Sequence, residues 1–511
     1  MNVSDLKSLT DIDLIIPDNF IGIPYDFQKV GAAFLVAKDR CLLGDSMGLG
    51  KTIQSLLAMC ILKRIDKLPA RVLVVTVNSA VFQWEKEFKK FTTGYNVLTV
   101  TAKLNPTERA SFYGNLPEEC VMITNYSLMR IDNEFILQLG FKLIIWDESA
   151  IFKNYKSKTF KAAQDLSMAA ERSWALSAYA MPNNPFELFG VYSVTVPDLF
   201  ARYYGTRRFD GITKFRELYT LEEPIIGRGG VPKMTEQGYI IKQTVGYKNL
   251  DRLKQRISPF YIGRTYADVA VQVPSLIVKE ANLEMTNTQR ALYYETEHGI
   301  NGKIPMDMIL AKFVALQQIS NGVDFYKHTK GTDVSPKIEE IKRFLSEELE
   351  EEKIVIFSKF RQFIDILEDE LKEYSPVRIT GDESIDERER NKEKFTNDQN
   401  CRVLLMTQAG GFALNLQAAR VMMFVDLPFS FGMMEQIIGR IRRIGSEHEV
   451  VVAVFLMMND SLDRHVLDVL RSKKMIIEQV MGGRDVLDNV AQNDIKEILK
   501  RRLEEKGQDV S

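Results

Sequence analysis

Four short runs in the first third of the chain are apolar from end to end instead of alternating with polar residues. They are "CLLGD" (Cys41 to Asp45), "RVLVVTV" (Arg71 to Val77), "VMITN" (Val121 to Asn125) and "KLIIWD" (Lys142 to Asp147). A strand that is apolar on both sides must be covered on both sides, the condition met when helices pack on each face of a parallel sheet. Helix-length amphipathic stretches such as "TIQSLLAMCILKRI" (Thr52 to Ile65) separate the runs, so Ile21 to about Gly190 reads as parallel α/β. The rhythm restarts after Lys337 with "KIVIFSK" (Lys353 to Lys359), "RVLLMT" (Arg402 to Thr407), "VMMFVDL" (Val421 to Leu427) and "VVVAVFLM" (Val450 to Met457). Two α/β lobes are expected.

Between them the pattern is less regular: "IIGRGGVPKM" (Ile225 to Met234) reads as a loop or hairpin and Asn287 to Asn321 as helix-rich. The expected organisation is an extension over 1–20, a first lobe over 21–285 with an insertion at about 197–275, and a helical protrusion or linker over 286–334. A second lobe with a brace helix follows over 335–483, then a helical tail over 484–511. "SEELEEEK" (Ser346 to Lys353) reads as a solvated helix face.

A chain of 511 residues exceeds one ordinary core, which agrees with several folding units. No run approaches the roughly 18 apolar residues of a membrane span, and the early acids of "MNVSDLKSLTDID", with no apolar run among them, argue against secretion. Cys41, Cys60, Cys120 and Cys401 lie far apart without metal-site spacing, which points to a reduced, intracellular protein without structural zinc. A formal net charge of -2 supplies no global attraction for nucleic acid, so any DNA contact must come from local basic surfaces.

"GDSMGLGKTIQ" (Gly44 to Gln54) follows a strand and opens a helix, the context a phosphate-binding loop requires. Gly48 and Gly50 allow backbone N–H groups to turn inward, Lys51 can reach the β- and γ-phosphates of a nucleotide, and Thr52 can hold Mg2+. Asp45 stands where the strict loop pattern has its first glycine; Met47 and Leu49 complete the loop. "LIIWDESAIFKN" (Leu143 to Asn154) ends a buried run in two acids. Asp147 suits the Mg2+ shell, and Glu148 suits orientation or deprotonation of an attacking water.

These motifs, with others along the chain, resemble those of the SWI/SNF-like ATPases of helicase superfamily two, from about Ile21 to Gly483. "PYDFQKVGAAFL" (Pro24 to Leu35) resembles the adenine-recognition segment through Gln28, "VLVVTVNSAVFQWEKEF" (Val72 to Phe88) the next motif with Trp84 and Glu85, and "VMITNYSLMR" (Val121 to Arg130) the one after. "GDESIDERERNKEKF" (Gly381 to Phe395), "TQAGGFALNLQAA" (Thr407 to Ala419) and "QIIGRIRRIGS" (Gln436 to Ser446) resemble second-lobe segments. "ISPFYIGRTYADV" (Ile257 to Val269) is similar to a P-F-x-x-R-R-x-K-x-x-V segment with only Arg264 of its basic group kept.

The resemblance implies two RecA-like parallel-sheet lobes with helical insertions, ATP and Mg2+ as cofactors, and double-stranded DNA as partner. It implies Lys51, Asp147, Glu148, Gln436, Arg440 and Arg443 as catalytic residues, the two arginines reaching across a cleft. Lys153, Asn154, Ser358, Lys359, Thr407 and Gly410 would face DNA. The implied activity is a DNA-dependent ATPase that tracks along duplex without separating strands: a monomeric motor without membrane attachment, cytoplasmic in a prokaryote or phage-infected host and nuclear in a eukaryote. A strand-separating helicase and a non-hydrolysing DNA clamp are the alternatives. Two departures bear on coupling: Ala150 replaces a histidine, and "LSAYAMPNN" (Leu176 to Asn184) puts Ala178, Tyr179 and Ala180 where glycine, threonine and proline are usual.

Overall fold

The computed structural model describes residues 16–178, 185–204, 207–209, 211–226, 230–235, 237–269, 273–300, 309–349, 352–408, 415–428, 431–443 and 445–468. They fall into two compact units, the first ending at Val269 and the second taking up at 273. The expected brace helix beyond 468 and the tail lie outside the described residues.

In the first unit, β1 (Arg40–Leu43), β2 (Arg71–Thr76), β3 (Val97–Thr99), β4 (Cys120–Asn125), β5 (Leu143–Asp147) and β6 (Arg172–Leu176) form one sheet. The insertion contributes β7 (Arg202–Tyr204) paired with β8 (Arg207–Phe209), and β9 (Thr220–Pro224) paired with β10 (Lys242–Tyr247). Antiparallel bridges Ile226↔Pro232 and Met234↔Ile240 pair the described residues beyond these strands. The last strand, β11 (Tyr261–Ile262), joins the sheet at its edge, in the order β11-β1-β6-β5-β2-β4-β3 with every pairing parallel. β6 lies near the middle although "RSWAL" has no β-branched residue; its Trp174, Ala175 and Leu176 are fully buried, and packing overrides propensity there.

The second unit contains β12 (Ser275–Leu283), β13 (Ile354–Phe357), β14 (Val377–Ile379), β15 (Val403–Met406), β16 (Val421–Phe424) and β17 (Val450–Met458) in one parallel sheet, ordered β12-β17-β16-β13-β15-β14. Continuous apolar runs are explained here directly. Val355 and Phe357 enter one core with Leu404, Met406, Met422 and Phe424, while Ile354 and Ile356 enter another with Val403, Leu405, Val421 and Met423. Successive side chains point to opposite faces, and both faces are dry.

This sheet corrects one expected boundary. Residues 275–283, assigned by sequence to the first lobe, form β12 and pair along their length with β17, from Ser275↔Val450 to Leu283↔Met458. The half-exposed "SLIVKEANL" satisfies its backbone at the edge of a sheet whose neighbouring strand comes from the far end of the chain. The "SEELEEEK" run continues the helix Pro336–Arg343 as a wide turn over Phe344–Glu348, with Ser346, Glu347 and Glu348 exposed.

Candidate functional site

The phosphate loop and the paired acids follow the carboxyl ends of two strands of the first sheet. β1 ends at Leu43 and β5 at Asp147; both residues are in register with Leu176 of β6, which runs between them. Asp147 is therefore level with the residue before the loop, two strand spacings away, or about 10 Å. Parallel sheets bind ligands beyond the carboxyl ends of their strands.

The loop turns through left-handed Gly48 (φ 78°) and Gly50 (φ 73°), the second capping the helix Lys51–Arg64. No side chain caps that helix, so its first N–H groups are disposed to receive an anion. Lys51 Nζ donates to the carbonyls of Asp45 (2.7 Å) and Ser46 (3.3 Å), lying along the loop it would leave to meet a phosphate. Thr52 is half-buried, while Met47 and Leu49 are buried in the loop's underside. Gln28 is also buried: Nε2 donates to the Leu49 carbonyl at 3.2 Å and Oε1 accepts from the Tyr25 N–H at 3.1 Å, so its amide braces the loop.

The carboxylate of Asp45 is fully buried and accepts from Arg264 and Gln54, while its carbonyl accepts from Lys51. A buried charge needs a fixed partner, and Arg264 supplies one.

Asp147 is held by groups that sequence alone did not connect to it. Oδ2 accepts from Thr76 Oγ1 (2.8 Å) and Trp84 Nε1 (2.8 Å), and Oδ1 from the Glu148 N–H (3.1 Å). Tyr126 donates its hydroxyl to the Asp147 carbonyl at 2.6 Å; burial, with the two acids nearby, pushes that hydroxyl well above its usual pKa and keeps it a donor. Glu148 adopts φ 53°, an uncommon conformation for a non-glycine residue, and caps the turn Ser149–Lys153. Lys153 and Asn154 emerge from that turn exposed, and Ala150 is half-buried within it.

In the second unit, Asp426 organises the segment after β13. Ser358 Oγ (2.5 Å) and Asn321 Nδ2 (2.9 Å) donate to its Oδ2, and the Lys359 N–H (2.9 Å) to its Oδ1. Ser358 is fully buried, its hydroxyl held by Asp426. Lys359 donates to the Leu427 carbonyl at 3.2 Å with its side chain 11% exposed; burial lowers the pKa of its amine to about 8. Beneath it, fully buried Lys337 donates to Asn321 Oδ1, the Val425 carbonyl and Asp463 Oδ2. Thr407 is buried at 6% exposure, and Gly410 lies outside the described residues. Gln436 is half-buried on the helix Phe431–Ile438; Arg440 (5% exposed) and half-buried Arg443 follow its end.

Residues 27–354 match the SNF2-related domain, and residues 336–445 the helicase conserved C-terminal domain. The chain belongs to the SNF2-related family. This SNF2-related chain is 25% identical to an uncharacterized ATP-dependent helicase of Mycoplasma pneumoniae, over 86% of this chain and 40% of that protein. It is 24% identical to the ATP-dependent helicase FUN30 of Saccharomyces cerevisiae, over 93% and 48%. It is 27% identical to the SWI/SNF-related matrix-associated actin-dependent regulator of chromatin subfamily A-like protein 1 of Xenopus laevis, over 93% and 46%. The chain thus spans less than half the length of these curated relatives. The solved Sulfolobus solfataricus SWI2/SNF2 ATPase core in complex with dsDNA is similar at 22% identity and TM-score 0.42, over 95% of this chain and 97% of that one.

Of the two departures noted in the sequence, Ala178 is buried, while Tyr179 and Ala180 lie outside the described residues. Among the described residues no helix is long and apolar enough to cross a membrane. All four cysteine thiols are unbridged and buried, and burial raises the pKa of Cys60 to about 11.

Proposed function

We propose that this chain is a DNA-dependent ATPase that moves along duplex DNA without separating its strands. The observation that carries the reading is the register Leu43–Leu176–Asp147, which puts an oriented acid level with a glycine loop ending in Lys51 and Thr52. Thr52 and Asp147 offer hard oxygen donors suited to Mg2+, which when bound neutralises phosphate charge. Lys51 binds the phosphates, Glu148 orients the attacking water, and Gln436, Arg440 and Arg443 take part in the hydrolysis, as the resemblance to the family implies. Lys153, Asn154, Ser358, Lys359, Thr407 and Gly410 belong to the segments that meet the DNA backbone, so binding is salt-sensitive and nearly blind to sequence.

Support comes from membership of the SNF2-related family and from relatives named ATP-dependent helicases. The test is ATP turnover with and without linear duplex, comparing wild type with Lys51→Ala and Arg443→Ala. Wild type is expected to be stimulated by duplex, and each variant to lose on the order of a hundredfold or more. Turnover by wild type no faster than by Lys51→Ala, with duplex present, overturns the motor and leaves a non-hydrolysing clamp. A fluorescent strand-separation assay is expected to stay silent; unwinding would assign a helicase instead.

A further inference from the structure

One guanidinium joins the three segments around the phosphate loop. Arg264 Nε donates to Asp45 Oδ1 (2.9 Å), Nη2 to Asp45 Oδ2 (2.7 Å) and Gln54 Oε1 (2.8 Å), and the backbone N–H to Asp45 Oδ1 (3.0 Å). Nη1 donates to the Phe27 carbonyl, and the guanidinium lies 5.4 Å over the Phe27 ring. Gln54 Nε2 closes the network on Asp45 Oδ2 (2.9 Å) and the Leu49 carbonyl (3.2 Å). The helix Asp26–Ala37, the loop with its following helix, and the end of β11 thus meet at one side chain.

The main chain repeats the connection. Gly44 N–H donates to the Ile262 carbonyl at 2.7 Å and Ser46 N–H to the Arg264 carbonyl at 2.8 Å. The first half of the loop, Gly44 to Ser46, is therefore laced to β11 through backbone and side chain. Its second half carries the left-handed glycines. Lys51 lies on the carbonyls of Asp45 and Ser46, the part of the backbone that Arg264 holds.

We propose that Arg264 is a positioning residue for the nucleotide loop, acting through Asp45 and Gln54, and that loop occupancy and the conformation of the β11 end respond to each other. The inference rests on the ATP reading of the loop. A planar fork satisfies both oxygens of Asp45 and Gln54 together; a lysine keeps the charge but not the fork. Arg264→Lys is expected to raise the KM for ATP about tenfold while kcat stays within threefold, because the loop holds phosphates in ground and transition states alike. A merely structural role would reduce the amount of active enzyme, lowering kcat without moving KM. KM within twofold of wild type overturns the proposal.

Wild-type protein gives a second readout that needs no variant: amide hydrogen exchange with and without adenosine 5′-(β,γ-imido)triphosphate and Mg2+. Exchange over 261–266 is expected to slow together with that over 44–54; slowing confined to 44–54 overturns the coupling. Lys51→Ala separates the two readings. If it binds the analogue as tightly as wild type, the ATP reading of the loop fails; if it loses binding while Arg264→Lys keeps its KM, only the positioning role fails.

Discussion

Trp84 donates its indole N–H to Asp147 Oδ2 at 2.8 Å, across 63 residues of sequence, while Thr76 donates to the same oxygen from the neighbouring strand. Two fixed donors on one oxygen set the rotamer of the acid, and the other oxygen is turned toward the N–H of Glu148. Hydrogen bonds to a charged acceptor contribute about 1.5–3 kcal/mol each. Thr76→Val removes one donor with little change of shape and is expected to lower ATP turnover roughly ten- to hundredfold; Trp84→Phe should do the same with some added loss of packing. Steady-state turnover at saturating ATP, beside nucleotide-free DNA affinity, checks this. Unchanged turnover in Thr76→Val would show that the donor does not orient Asp147 for chemistry.

Gly31 is crowded by the clasp behind the loop. An added Cβ would lie 1.7 Å from Gln54 Oε1 and 2.6 Å from Arg264 Nη2, both fixed by bonds to buried groups. Gly31→Ala is expected to destabilise the fold by about 1–3 kcal/mol. Gly114, at the end of the helix Pro106–Gly114, has open space around the same position, so Gly114→Ala is expected to be neutral or stabilising by up to about 1 kcal/mol. The urea midpoint is expected to fall for Gly31→Ala and to hold or rise for Gly114→Ala.

Lys359 predicts a pH dependence. Burial lowers its pKa from the usual 10.5 to about 8. Between these values the unfolded chain holds more protons than the folded one, so this group's contribution to stability rises with pH across that window and its cost is complete below about 8. The stability gained by Lys359→Met relative to wild type is expected to be greatest below pH 8 and to shrink toward pH 10. Denaturation series at several pH values test this, and a difference independent of pH contradicts it.

Ala150 sits half-buried in the turn that joins Glu148 to exposed Lys153. Ala150→His is expected to change the duplex-stimulated rate more than the basal rate. Equal changes in both rates count against a coupling role for this position.

The continuous apolar runs by themselves determined the two parallel sheets, because side-chain alternation is local and a run with no polar face leaves few ways to be covered. The glycine loop before a helix and the acids after a strand were legible for the same reason: backbone conformation and charge at a strand end are set by neighbours in sequence. Only the tertiary structure decided which distant group answers each buried polar atom. It turned Asp45 toward Arg264, 219 residues away, buried Ser358 against Asp426, 68 residues away, and gave β12 to β17. A sequence pattern records periodicity, whereas a buried charge or an edge strand is satisfied by whichever segment the chain path brings beside it.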